Sequence, residues 1–282
     1  MIDSHLHFWN PTHLTYDWLQ YVPSISGCMG PEAFTSTGVK PEGAIFVQAD
    51  CAPDQALAEV DWINSLGISM SWPILGIVAY APLELGDTLQ IAALKAKPKV
   101  VGIRRNAQNE PDGFMTSDGY LAGMIAAARA GFSLDMCIRA RQLPELRQAL
   151  DILFRAAPDA RVILDHLGKP DIKTHGADIS GGDWVNEINA LSVMPNVFCK
   201  LSGLPTEADW EHWTPEQLRP WLDHALSVFG PPRCLFGGDW PVVELAGGYA
   251  RWQAVVASAI SHLSPDQQAR IWSGTARTVY QV

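Results

Sequence analysis

Eight short runs of apolar and β-branched residues recur along the chain: Met1–His7, Ala44–Ala49, Trp72–Ala79, Lys99–Arg104, Phe132–Ile138, Arg161–His166, Asn196–Ser202 and Arg233–Gly238. They are spaced about 27 to 42 residues apart, enough for one strand, one loop and one helix. Amphipathic stretches lie between most of them, at Gln55–Leu66, Gly119–Ala130, Leu143–Ala157, Trp184–Leu191 and Pro215–Phe229. Gly248–His262 follows the eighth run. Ser264-Pro265 then reads as an N-cap with proline at the first helical position, opening a last helix through Ile271. Eight βα units at this pitch predict a closed (β/α)8, TIM-like barrel rather than an open doubly wound sheet. No low-complexity linker divides the chain, so residues 1–282 read as one domain. The long polar stretch Asn10–Lys40 is predicted to be a functional loop at the mouth of the barrel.

Composition narrows the partners. The 282 residues are 48% hydrophobic and 18% charged, too apolar for a disordered chain and long enough to bury a full core. The net charge of −10 argues against nucleic acid or an anionic membrane as partner. Five cysteines, odd in number and widely spaced, fit reduced thiols. The chain opens without the basic and apolar segments of a secretory signal, and no apolar run reaches a membrane span of about 18 residues. The expectation is a cytoplasmic protein acting on a small molecule. Barrels of this size often pair, so a homo-oligomer is compatible with the sequence, which does not itself fix the oligomeric state.

Strand parity then selects residues. Asp3-Ser4-His5-Leu6-His7 places two histidines at i and i+2, hence on one face of a strand, pointing into the barrel near its carboxyl end. Two imidazoles on one face suit a divalent ion such as Zn²⁺. The same test turns His166 inward and Asp165 outward at the end of the sixth run. The eighth run ends Gly237-Gly238-Asp239 before Trp240-Pro241. The fourth brings Arg104 inward, the seventh Lys200 and Ser202, the fifth Asp135 and Cys137, the second Gln48. Polar side chains converging in a barrel mouth are costly unless they form a site. Any one of them could instead be an ion pair or a cap. The set His5, His7, His166 and Asp239 is not explained that way.

These motifs resemble the amidohydrolase superfamily, and within it the lactonase-like branch that contains L-fuconolactonase-like and L-rhamnonolactonase-like sugar lactonases. The matching segments are Ile2-Asp-Ser-His-Leu-His-Phe-Trp9, Val162-Ile-Leu-Asp-His-Leu-Gly-Lys-Pro170, Val197-Phe-Cys-Lys-Leu-Ser-Gly203, Leu235-Phe-Gly-Gly-Asp-Trp-Pro-Val242 and Ile271-Trp-Ser-Gly-Thr-Ala276. The resemblance implies a distorted (β/α)8 barrel that hydrolyses at a carbonyl. It assigns His5, His7 and Asp239 to the metal or the water, and His166 to substrate or proton handling. Binuclear members bridge two metals with a lysine or glutamate on strand four, where this chain has Arg104. Many mononuclear members take a histidine from strand five, where it offers only Asp135 or Cys137. The resemblance therefore implies at most one metal, held by His5, His7 and Asp239, with His166 as the further candidate ligand. Pyrone-dicarboxylate lactonases of the same branch are thought to need none, so metal-independent catalysis is the alternative.

The expected reaction is the opening of a lactone, foremost a sugar lactone, by water activated at His5, His7 and Asp239. Asp239 is the expected base, and His166 orients the water or protonates the leaving oxygen. Arg104 and Lys200 suit a carbonyl or carboxylate. Gln48, Asp135 and Ser202 would read hydroxyls, and Trp9 and Trp240 would line the mouth with ring faces. An aromatic-pathway lactone is the second reading, favoured if Arg105 or Arg139 stood beside the site. A metal-dependent decarboxylase is the third, and a ligand-binding barrel without catalysis the fourth.

Overall fold

The computed structural model describes residues 1–66, 70–86 and 88–282. The eight runs become eight parallel strands in one sheet whose spatial order is the sequence order: β1 (Ile2–Leu6), β2 (Gly43–Val47), β3 (Ile74–Ala79), β4 (Val100–Ile103), β5 (Ser133–Met136), β6 (Arg161–Leu164), β7 (Val197–Leu201) and β8 (Cys234–Phe236). Each neighbouring pair is in parallel register, for example Asp135 beside Ile163 and Lys200 beside Leu235. The sheet closes on itself without a full eighth ladder. His7 donates its backbone N–H to Trp240 O at 2.8 Å, and Asp239 donates its own to His5 O at 2.8 Å.

Two glycines permit that closure. A Cβ on Gly237 would stand 2.6 Å from His5 Cβ, and one on Gly238 2.0 Å from Tyr249 Cε2. With no side chains there, the end of β8 lies against β1 and delivers Asp239 beside the histidines.

Helices cover the outside: α1 (Pro31–Thr35), α2 (Ala56–Leu66), α3 (Thr88–Lys95), α4 (Asp118–Arg129), α5 (Leu143–Ala156), α6 (Ile172–His175), α7 (Trp184–Ser192), α8 (Pro215–Phe229), α9 (Tyr249–Ile260), α10 (Pro265–Ala269) and α11 (Thr275–Tyr280). In α5 the buried residues Leu143, Leu146, Ala149, Leu150 and Leu153 repeat at the helical period, so one stripe faces the barrel and the arginines face out. The strands are buried on both faces, as parallel strands under helices must be. Ser264 caps α10 with Gln267 answering it, but the chain does not stop near Ile271. It passes through a π-turn at Arg270–Gly274 into α11.

Ala276, Val279 and Tyr280 of α11 pack against Ile2, Ile45, Val47, Val78, Ile163 and Leu235. Arg277 reaches Glu42 just before β2, so α11 stoppers the barrel at the amino ends of the strands. The segment 10–40 is not merely polar loop. Leu14, Tyr16, Leu19 and Ile25 form a small core with Trp9, Ala49 and Cys51.

One support of the mouth carries a pH prediction. Glu59 of α2 is buried, and its Oε1 accepts from Ala49 N at 3.1 Å while Oε2 has no hydrogen-bond partner. Burial raises this carboxyl to about 8, against the Ala49 hydrogen bond that lowers it. The folded value exceeds the unfolded one, so its contribution is full below the ordinary carboxylate range and is lost as pH rises through about 8. Glu59→Gln keeps the acceptor for Ala49 and removes the titration. Between pH 5 and 9 the native protein is expected to lose roughly 2–5 kcal/mol more stability than this variant. Parallel stability–pH curves in urea titrations would contradict it.

Candidate active site

The carboxyl end of β1 sets the first ligands. His5 Nε2 and His7 Nε2 face each other at 3.2 Å, and Asp239 Oδ1 stands 3.7 Å and 3.6 Å from them. All three side chains are almost wholly buried. His7 Nδ1 lies 2.7 Å from Val47 O, a contact that needs the proton on Nδ1 and leaves the Nε2 lone pair free toward Asp239. A tetrahedral ion about 2.0–2.2 Å from each ligand requires ligand atoms roughly 3.3 Å apart. The observed triangle fits one such ion.

His166 completes the ring from β6. Its Nε2 is 4.0 Å from Asp239 Oδ1, its Nδ1 is 2.8 Å from Ser202 Oγ, and its ring centroid is 4.4 Å from that of His5. Burial holds His166 down at about 4, so it is neutral near pH 7. Burial pushes the Asp239 carboxyl up, but the surrounding His166, His5 and His7 outweigh it and hold the group below the ordinary carboxylate range. The site therefore joins an ionised carboxylate to His5 and His166, both of which burial holds in the neutral form.

Beneath them lies an ion-paired floor. Lys200 Nζ sits 2.7 Å from Asp135 Oδ2, 2.9 Å from Asp165 Oδ1 and 3.1 Å from His5 Nδ1. Tyr280 of α11 donates its hydroxyl to Asp135 Oδ2 at 2.6 Å through the barrel interior. Arg104 Nη2 donates to Gln48 O at 2.6 Å, while Nη1 lies 3.4 Å from both Asp165 Oδ2 and His5 Nε2. Burial works against the Lys200 ammonium, yet Asp135 and Asp165 raise it above its ordinary value. Two cations thus offset Asp135 and Asp165, leaving the Asp239 charge to act on whatever occupies the centre. A second group, His5, Asp165 and His166, could also hold an ion on distance. Arg104 and Lys200 already take up its carboxylate, which leaves His5, His7 and Asp239 as the better candidate group among the described residues.

Parity does not survive the end of β6. The strand stops at Leu164, and His166 (φ 54°) and Leu167 (φ 54°) adopt left-handed backbone. Asp165, expected outward, is instead fully buried in the ionic floor beside an inward His166. Asp50, Lys169 and Asp239 are left-handed too, at φ 55°, 48° and 57°. Such backbone costs about 1–3 kcal/mol per non-glycine residue and gathers where a fold re-aims side chains. Gly203 (φ 66°) makes room for this turn, since a Cβ there would lie 2.3 Å from His166 Nδ1.

Several expected substrate contacts are placed elsewhere. The Gln48 amide is closed onto Asp50, donating to Oδ1 at 2.9 Å and accepting from the Asp50 N–H at 2.6 Å. Asp135 and Lys200 are at most 1% exposed and engaged with each other. Ser202 is occupied with His166, and Arg104 keeps only a buried Nε without a hydrogen-bond partner. Trp9 is fully buried, donating to Ile25 O at 3.0 Å and packing on Trp18. Trp240 is 1% exposed and packs on Phe8 and Phe34. Neither indole offers an open ring face, because the apolar segment 14–25 and α1 cover them. Cys137 is buried, its thiol pushed up to about 11 by burial, and it joins no metal-ligand group among the described residues.

Two contributors went unread. Asp3 lies on the same strand face as His5 and His7, a signal that was available. It accepts from Gly238 N at 2.8 Å and Tyr249 Oη at 2.9 Å and so ties β8 to β1. Tyr280 gave no local signal, because only the packing of α11 brings it to Asp135.

A family model described as amidohydrolase matches residues 2–282. The chain is 30% identical to an L-fucono-1,5-lactonase of Burkholderia multivorans, over 99% of this chain and 95% of that protein. It is 23% identical to an L-rhamnono-gamma-lactonase of Scheffersomyces stipitis over 74% of this chain and 69% of that protein. A crystal structure of a B. multivorans amidohydrolase with bound zinc superposes with a TM-score of 0.85 at 29% identity, covering 100% of this chain and 99% of that one.

Proposed function

This chain belongs to the amidohydrolase family, and we propose that it is a lactonase acting on a sugar lactone in carbohydrate catabolism, in a reducing cytoplasm that suits its five unpaired cysteines. The observation that carries the reading is the convergence of His5, His7, His166 and Asp239 on one point at the mouth. The lactonase relatives support the substrate class, and the zinc in a related structure supports the metal. His5, His7 and Asp239 would hold one divalent ion, most simply Zn²⁺, which would supply Lewis acidity and a more acidic water.

The chain's own residues then divide the work. Asp239, ionised and desolvated, accepts a proton from water as its oxygen bonds to the lactone carbonyl carbon. The ring C–O bond breaks next. With the Ser202 hydroxyl donating to Nδ1, His166 carries its proton on Nε2 and can pass it to the leaving ring oxygen, to be reprotonated by way of Asp239. The products are a hydroxyl group and a carboxylate, with one proton released to solvent.

The dicarboxylate reading finds less support. Arg105 is bound to Glu84 and Glu110, at 2.9 Å and 2.7 Å, and is not free for a second carboxylate, while Arg139 is half-exposed and already faces the Glu207 carboxylate at 3.8 Å. The decarboxylase reading lacks its strand-five ligand, since Asp135 belongs to Lys200 and Tyr280.

The test is acid release on a panel of aldonolactones beside 2-pyrone-4,6-dicarboxylate, with metal content measured on the same sample. The expected result is turnover of aldonolactones at least ~10²-fold above the dicarboxylate, with about one metal per chain and activity lost on chelation and restored by zinc. Preference for the dicarboxylate, or release of CO₂ from a benzoate, would replace this substrate class. Full activity in metal-free protein would leave Asp239 as base without an ion.

A further inference from the structure

Above the centre, the four loops that follow β4, β5, β6 and β7 each contribute one polar side chain to a common arc. Gln108 comes from the first, Arg139 from the second, Lys169 from the third and Glu207 from the fourth. Lys169 Nζ donates to Gln108 Oε1 at 2.6 Å and lies 3.3 Å from Glu207 Oε1. Arg139 Nη1 lies 3.8 Å from Glu207 Oε2. The arc adjoins the site through Lys169, which follows His166 in the same turn and donates its backbone N–H to His166 O at 2.8 Å. It is also held in place from below. Gln142 donates to Ala107 O at 2.8 Å and accepts from Arg139 N at 3.0 Å, pinning two of the loops together. The Lys169 and Glu207 side chains remain 15% and 14% exposed, so the arc is open to a ligand while the ionic floor is not.

The donor and acceptor pattern decides what such a ligand is. A carboxylate accepts only, so a site built for it presents cations without a carboxylate among them. Here Glu207 stands between the two cations, and would repel an incoming carboxylate. A hydroxyl both donates and accepts. An ammonium, a carboxylate and an amide within hydrogen-bond reach of one another match neighbouring hydroxyls on a sugar ring, with Glu207 accepting, Lys169 donating and Gln108 able to do either.

We propose that Gln108, Lys169 and Glu207 form the subsite that reads the hydroxyl groups of a polyhydroxylated lactone and selects it over lactones without hydroxyls. The inference rests on the lactonase reading above. It makes substrate choice a property of the β4, β6 and β7 loops, apart from the bond-breaking residues on β1, β6 and β8.

The measurement is the ratio of kcat/KM for L-fucono-1,5-lactone, or the best aldonolactone of the panel, to kcat/KM for δ-valerolactone, a ring of the same size without hydroxyls. Glu207→Gln and Lys169→Met are each expected to lower that ratio at least ~10-fold, since a hydroxyl then loses a charge-assisted partner. General damage to the fold or the catalytic groups lowers both rates and leaves the ratio in place. A change in ratio smaller than 10-fold in both variants overturns the subsite while the lactonase reading stands. Failure of the unaltered enzyme to open any lactone overturns that reading, and the subsite with it.

Discussion

Asp239→Asn is expected to lower kcat at least ~10²-fold while the protein remains folded. Three functions meet on this carboxylate. It is the carboxylate that lies within 4.0 Å of His5, His7 and His166 alike, it supplies the charge of the three-ligand set that, among the described residues, Arg104 and Lys200 leave uncompensated, and it is the base in the proposed step. The amide keeps the shape, and the closure of the barrel runs through the Asp239 backbone N–H, which the substitution leaves in place. Thermal unfolding should therefore shift little. KM should change less than kcat, because the carboxylate acts on the water rather than on the substrate's hydroxyls. The check is steady-state kinetics together with bound-metal analysis. Loss of metal and rate together makes the aspartate a ligand first. Loss of rate with metal retained makes it the base. Near-native kcat would remove it from both roles.

Much of this was legible beforehand because strands impose a period of two and closed barrels impose a direction. The recurrence of eight runs gave the sheet, and i, i+2 spacing gave His5 and His7 their common face. Asp239 followed from its place after two glycines at the end of the eighth run. What could not be read was whatever the chain does after a strand stops. Asp165 and His166 both enter the interior because left-handed backbone follows Leu164, and no count of alternating residues reveals that turn. Gln48 is closed onto Asp50 for a similar reason, since Asp50 takes φ 55°. The tryptophans failed on a different ground. Trp9 and Trp240 do follow β1 and β8, but apolar residues within the segment 10–40, which looked polar taken whole, roof them over. Contacts of long sequence separation were the least readable of all. Tyr280 meets Asp135 across 145 positions, and neither residue's neighbours hint at the other.

The second large effect concerns the floor rather than the reacting atoms. Lys200→Met is expected to destabilise the protein by about 3–5 kcal/mol, the usual result of breaking a buried ion pair by removing one partner. Lys200 is fully buried between Asp135 and Asp165, so its loss leaves two carboxylates facing each other without the charge that separated them. Arg104 can answer only Asp165, and at 3.4 Å. Asp135 retains the Tyr280 hydroxyl, which hydrogen-bonds but does not neutralise. Lys200→Met combined with Asp135→Asn should therefore be less destabilised than Lys200→Met alone, because the second change removes the charge that the first exposes. A double-mutant cycle in urea measures the coupling. If the two losses simply add, Lys200 is not paying for the burial of Asp135, and the floor is held by packing instead. If they couple, the floor is an electrostatic unit that fixes His5 from below. The activity of the double variant then reports how far the position of His5 depends on that support, since Lys200 is also its neighbour at Nδ1.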